Sequence, residues 1–198
     1  MAKLYFKYGA MGCSKTAQAL ITKFNYEERG MKVMLIKPMT DTRDGLNNVQ
    51  SRIGLSAPAL SVPLDCNLYA LYAGEYRSSD VIIVDECQFL TPEQVDELGQ
   101  IVIDFNVPVL CFGLATDFLT HLFPGSRRLF EIAESISEIK SVCRCGAKAT
   151  VNARFDDNGN VLYHGEQVCL GGNGRYQAMC RRCWLTRRAE QEAKGIYT

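Results

Sequence analysis

The chain has 198 residues, with 22 lysines and arginines balanced by 22 aspartates and glutamates, and it is 47% hydrophobic and 22% charged. That length suits one domain with at most a small appendage, and the composition is that of an ordinary globular protein with a sizeable core. A balanced charge argues against a strong hold on long nucleic acids, and no apolar run approaches the ~20 residues a membrane helix needs. The opening MAKLYFKYGA lacks a long apolar core followed by a cleavage site, so no secretory signal is read there and a cytoplasmic location is expected. The nine cysteines then read as thiols or metal ligands, not as a disulfide framework.

In chain order, residues 4–8 read as a short strand, 15–29 as a helix stopped at Gly30, and 32–38 as a second strand. Residues 41–57 are polar and weakly periodic, so a loop is expected. Residues 59–62 suit a third strand and 67–76 a helix. Val81-Ile-Ile-Val84 is an apolar β-branched run, as in a strand buried on both faces. Thr91-Pro-Glu-Gln94 opens a helix with a capping threonine, proline in the first turn and a capping-box glutamine. Residues 108–112 form another buried strand, and 126–139 a further helix. Strands alternating with helices imply parallel crossovers and a three-layer α/β domain over residues 1–140, with ligands beyond the carboxyl ends of the strands. Three polar clusters fall there, at 9–16, 85–88 and 113–118. From residue 141 cysteine pairs and glycine-rich turns take over, and a small loop-rich domain is expected over 141–198.

The stretch YGAMGCSKT nearly spells the phosphate-binding loop G-x-x-x-x-G-K-[ST]. Backbone N–H groups from Gly9, Ala10, Met11, Gly12, Cys13 and Ser14 would cradle phosphate oxygens at a helix N-terminus. Lys15 would reach the β/γ-phosphates of ATP, and the Thr16 hydroxyl would serve Mg²⁺. An ordinary strand–helix turn would give similar letters, and Ser14 stands where glycine is expected. Gly12 offers a relocated permissive position, so a positive φ is expected at Gly12 and an ordinary conformation at Ser14. The second cluster shifts the balance: an apolar strand ends in Asp85-Glu86, placing Asp85 on Mg²⁺ and Glu86 beside the reacting phosphate. Further along, Cys143-Arg-Cys145 and Cys180-Arg-Arg-Cys183 offer four thiolates, the ligand set of a closed structural zinc site.

Taken together, GAMGCSKT, DTRDG, IIVDECQFL, GLATDF and CLGGNGRYQAMCRRCW resemble the motifs of thymidine kinases of the bacterial and animal cytosolic type, over most of the chain. The resemblance implies a three-layer P-loop (RecA-like) parallel-sheet domain with a small C-terminal zinc-binding domain. It implies ATP-dependent phosphorylation of the thymidine 5′-hydroxyl, with Glu86 as general base, Lys15 on the phosphates, Arg43 near the reacting groups, and Asp41 in the same loop network. Met11, Leu114, Phe118 and Phe123 would line the nucleoside pocket, with Gln88 and Phe89 nearby and Gln88 also on the nucleotide side. A lasso starting at Gln167, Val168, Cys169, Leu170 and Gly171 and ending at Tyr176 would cover the base. A homotetramer and no nucleic-acid or membrane partner are also implied. Two rivals are a single-domain P-loop ATPase with a nucleic-acid role and a zinc-ribbon module. Size and charge argue against the first, and the second leaves the phosphate loop without a purpose.

Overall fold

Alternation between the two faces of each strand explains most of the architecture. The computed structural model describes residues 1–40, 47–167 and 175–197. In chain order the elements are β1 (Leu4–Tyr8), α1 (Lys15–Glu27), β2 (Val33–Pro38), β3 (Asn48–Gln50), β4 (Ser56–Pro58), β5 (Leu60–Val62) and α2 (Leu68–Leu71), which runs into a π-helical turn at Tyr72–Tyr76. Then come β6 (Val81–Val84), a 3₁₀ turn at Cys87–Phe89, α3 (Pro92–Phe105), β7 (Val109–Gly113), α4 (Pro124–Ile132) and β8 (Ser135–Glu138). The C-terminal part carries β9 (Ser141–Val142), β10 (Lys148–Ala149), β11 (Val151–Arg154), β12 (Tyr176–Met179) and α5 (Arg181–Glu192).

The main sheet has the order β5-β2-β6-β7-β1-β8, with every pairing parallel. Ile82 and Val84 of β6 face a core shared with Val95, Leu98, Ile101 and Val102 of α3 and Leu129 of α4. Val81 and Ile83 of the same strand face Ala19 and Leu20 of α1. The sheet is therefore sandwiched between helices, as the parallel crossovers require.

Two expectations need correction. The stretch read as a loop over 41–57 contains the antiparallel pair β3/β4, with residues 41–46 lying outside the described residues. In that pair only Val49 is buried in the core, with Ala57 packed partly buried against it, so the apolar alternation is too short to show. The stretch read as helix over 126–139 ends at Ile132, and Ser135–Glu138 pairs in parallel with β1 at the sheet edge. An edge strand with serines facing out leaves a weak apolar period, which the preceding helix masked.

Beyond the sheet, β9 pairs with β10 and β11 with β12, both antiparallel. Val151, Ala153, Val161, Tyr163 and Trp184 form one small core there. Gln191 fastens α5 to it, its amide accepting from Val161 N at 2.8 Å and donating to Val161 O at 3.1 Å.

The capping box of α3 is formed as the sequence suggests. Thr91 Oγ1 accepts from Gln94 N at 3.1 Å and Gln94 Oε1 accepts from Thr91 N at 3.2 Å. Gln94 Nε2 also donates to Pro63 O and Cys66 O, tying the helix start to the chain after β5. Thr91→Ala is expected to cost about 1 kcal/mol in urea unfolding, with activity retained, because the bonds of the cap run between Thr91 and Gln94 and involve neither Asp85, Glu86 nor Gln88.

Candidate active site

The site is built where β1, β6 and β7 end. Gly9 N donates to Gly113 O at 3.3 Å, which draws the exits of β1 and β7 together. A side chain at Gly9 would put its Cβ 2.4 Å from Ile139 O and 2.5 Å from Cys13 Sγ, so only glycine lets the loop turn back here. The loop then climbs to the first turn of α1, where Lys15 is buried. Its Nζ donates to Gly9 O at 3.1 Å and Ala10 O at 3.0 Å. The ammonium is thus held by the carbonyls of the loop it serves, over the N-terminal end of α1, where anions are favoured.

Gly12 has φ 75°, as expected of a permissive position. Ser14 does not have the ordinary conformation the sequence suggested: it caps α1 with φ 64°, also left-handed, and its side chain makes no capping bond. The loop therefore keeps the backbone shape that glycine would adopt freely at 14, and adds a second such position at 12.

Asp85 and Glu86 follow β6. Asp85 is buried, accepts a hydrogen bond from the Thr16 hydroxyl, and has its pKa pushed up to about 7. Burial is the main cause and the adjacent Glu86 charge the second; Thr16, the Glu86 backbone and Lys15 pull the other way. A buried acid beside a half-buried one is an arrangement a divalent cation relieves, and Thr16 and Asp85 are the residues that fit Mg²⁺. Glu86 sits at φ 51°, left-handed for a residue with a side chain. Gln88 Nε2 donates to Glu86 Oε2 at 2.6 Å, while Gln88 Oε1 accepts from Leu114 N at 3.0 Å. Gln88, expected beside the nucleotide, is here the side chain that orients Glu86. Gly113 leaves room for it: a Cβ there would lie 2.6 Å from both Gln88 Oε1 and Cys87 Sγ.

The loop after β7 and the start of α4 carry the expected apolar residues, and Leu114 N bonds the same Gln88 that holds Glu86. Phe123 is buried and packs edge-on against Phe89, ring centroids 5.6 Å apart, while Leu114 O accepts from Ser126 Oγ. Phe118 is 1% exposed. Met11 N is bound by Asn152 Oδ1 at 2.8 Å, and Asn152 Nδ2 donates to Thr116 O at 2.8 Å. Asn152 on β11 thus joins the phosphate loop to the loop after β7. The sequence reading missed it. Val-Asn-Ala-Arg looks like a strand with one polar, solvated face, and nothing local says that this face is buried against another part of the chain. Gln167 Nε2 donates to Asp117 Oδ2 at 3.0 Å, and Tyr176 lies at the start of β12. Asp41, Arg43, Val168, Cys169, Leu170 and Gly171 lie outside the described residues.

At the far end the four cysteines meet. The Sγ atoms of Cys143, Cys145, Cys180 and Cys183 lie within 4.8 Å of one another. A tetrahedral zinc site with its usual Zn–S bonds needs about 3.8 Å between sulfurs, so the cluster fits. Cys180 Sγ accepts from Cys183 N at the start of α5, and backbone hydrogen bonds from Cys145 and Cys180 lower the Cys143 pKa to about 6. The short Cys143/Cys145 spacing is accommodated by a tight turn with Gly146 at φ 86°.

The family model described as thymidine kinase matches residues 2–184. The chain belongs to the thymidine kinase family. It is 46% identical over 187 residues to the thymidine kinase of Zymomonas mobilis, covering 93% of this chain and 97% of the relative. It is 45% identical over 184 residues to that of Yersinia pseudotuberculosis, covering 92% and 94%. With that of Rhodopirellula baltica it shares 43% identity over 197 residues, covering 97% and 93%. The chain is accordingly a kinase, and the strand-end geometry described above is where its chemistry is sought. No helix among the described residues is long and apolar enough to cross a membrane.

Two outcomes are expected. Asp85→Asn removes a buried charge, so the ligand-free protein should melt roughly 3–6 °C higher at pH 8, while the rise in Tm given by ATP with Mg²⁺ is lost. Metal analysis should find zinc bound to the wild type and lost in Cys183→Ser, with a fall in Tm of several degrees that added zinc does not reverse.

Proposed function

We propose that the chain transfers the γ-phosphoryl group of ATP to the 5′-hydroxyl of thymidine, giving thymidine monophosphate and ADP. The observation that carries the mechanism is the acid at the end of β6, Glu86, aimed by Gln88 and anchored through it to Leu114 N. As the hydroxyl oxygen bonds to the γ-phosphorus, the bond to the β-phosphate oxygen breaks, and Glu86 takes the hydroxyl proton. Lys15, on the first turn of α1, offsets charge on the β- and γ-phosphates, and the backbone from Gly9 to Thr16 holds their oxygens. Thr16 and Asp85 would hold Mg²⁺, which would supply charge neutralisation to the phosphates.

In this reading Met11, Leu114, Phe118 and Phe123 wall the nucleoside side, with Tyr176 and the chain from Gln167 over it. The apolar character of those residues suits a flat base whose polar edge is met by a few fixed groups. Arg43 and Asp41 belong to the same proposal through their motif. Cys143, Cys145, Cys180 and Cys183 would hold zinc, which would have no part in the chemistry and would tie together the two ends of the segment 146–179. Residues 1–140 and 141–198 are read as separate domains meeting at the site, and a cytoplasmic homotetramer belongs to the same reading.

The test is a nucleoside panel with ADP formation as the readout. Thymidine-dependent turnover supports the proposal; turnover without nucleoside, stimulated by DNA or RNA, sinks it. Glu86→Gln should lower kcat by about 10²–10⁴-fold while leaving ATP affinity within about threefold. Full turnover in that variant would remove Glu86 from the role of base.

A further inference from the structure

One buried charge belongs to neither the phosphate site nor the zinc cluster. Arg154, two residues after Asn152 on the same face of β11, is 8% exposed. Its Cζ lies 3.7 Å from the centre of the Phe118 ring. At its edge the guanidinium also meets the chain: Nη1 donates to Glu166 O at 3.0 Å. Gly165 makes that passage possible. Its φ is 123°, and a Cβ there would lie 2.6 Å from Arg154 Nη2. The register of β11 on β12 places Arg154 directly across from Tyr176, and both line one cavity. Among the described residues no carboxylate pairs with Arg154, and its buried Nε has no hydrogen-bond partner.

A buried guanidinium with no carboxylate is costly. What offsets the cost is the aromatic face under the cation and a carbonyl at its edge. An apolar side chain of similar length could fill the space if packing were all that was required. The guanidinium instead fixes two things at once: the ring of Phe118 and the backbone at 165–166. A second tie runs in parallel, since Asp117, next to Phe118, accepts from Gln167. Asp117 is itself locked by N–H groups of Leu119 and His121.

We infer that Arg154 is a positioning residue for the nucleoside side of the site: by clamping the Phe118 ring against the chain at Gly165–Glu166, it sets the affinity for thymidine and not that for ATP. The inference rests on the reading that Phe118 and Tyr176 line the nucleoside pocket. The phosphate loop is held separately, through Asn152 and the carbonyls around Lys15, so loss of the clamp leaves the nucleotide side in place.

Steady-state kinetics with each substrate varied separate these effects. Arg154→Met should raise the KM for thymidine about tenfold, with the KM for ATP changed less than twofold. Arg154→Lys keeps the charge and a donor but not the planar stack, and should fall between Met and wild type. Gly165→Ala disturbs the same clamp without touching the arginine and should shift the KM for thymidine in the same direction. An unchanged KM for thymidine in Arg154→Met, or equal increases for both substrates, overturns the inference. If Arg154→Met does not fold, unchanged thymidine KM values in both Arg154→Lys and Gly165→Ala overturn it. Phe118→Leu tests the premise alone. A raised thymidine KM in Phe118→Leu beside a silent Arg154→Met removes only the clamp. An unchanged value in Phe118→Leu removes the pocket reading and the clamp with it.

Discussion

Two ionisable groups held out of water, Lys15 and Asp85, with the half-buried Glu86 beside them, govern this structure. Lys15 opens α1 while Asp85 and Glu86 follow β6, and the common place of these elements at the ends of parallel strands lets them meet. Parallel pairing puts every carboxyl end on one side of the sheet, so β1, β6 and β7 deliver their loops to one place. The surrounding hydrogen bonds read as answers to the cost of that meeting. Lys15 is taken up by loop carbonyls, Asp85 by Thr16, and Glu86 by Gln88. Each partner is in turn fixed from behind: Gln88 by Leu114, and the loop at Met11 by Asn152. Orientation of an acid before substrate arrives is what phosphoryl transfer demands, because the protein contributes position and charge more than covalent chemistry.

Much of this was legible because the relevant signals are local. The run Val81–Val84 announces a strand buried on both sides, and its two acids announce the site. The capping box at Thr91 fixes a helix start to the residue. The cysteine pairs specify a four-sulfur cluster whatever the chain does between them. What could not be read depends on contacts between distant parts of the chain. The Ser135–Glu138 strand exists because β1 offers an open edge, not because its own residues insist on it. Ser14 takes a left-handed conformation because strand and helix must join there, and the identity of one residue does not reveal that demand. Asn152 and Arg154 alternate with apolar neighbours in the manner of a solvated strand face, yet the C-terminal part turns that face inward.

That inward face changes how the C-terminal part is understood. Its apolar side packs on Trp184 and Val161, an ordinary small core. Its polar side supplies hydrogen bonds and a cation to loops that leave the main sheet. The antiparallel pair of β11 and β12 therefore buttresses the phosphate loop and the loop after β7 through Asn152, and the cysteine cluster joins β12 and α5 to the turn after β9.

Glu86 carries a further consequence. A glutamate with φ near 50° stores about 1 kcal/mol of backbone strain that glycine would not. Selection for stability alone would favour glycine at this corner. A screen of random variants scored first by folding yield and then by turnover should thus find the two rankings opposed at this position, whereas at the buried strand residues around it they should run together.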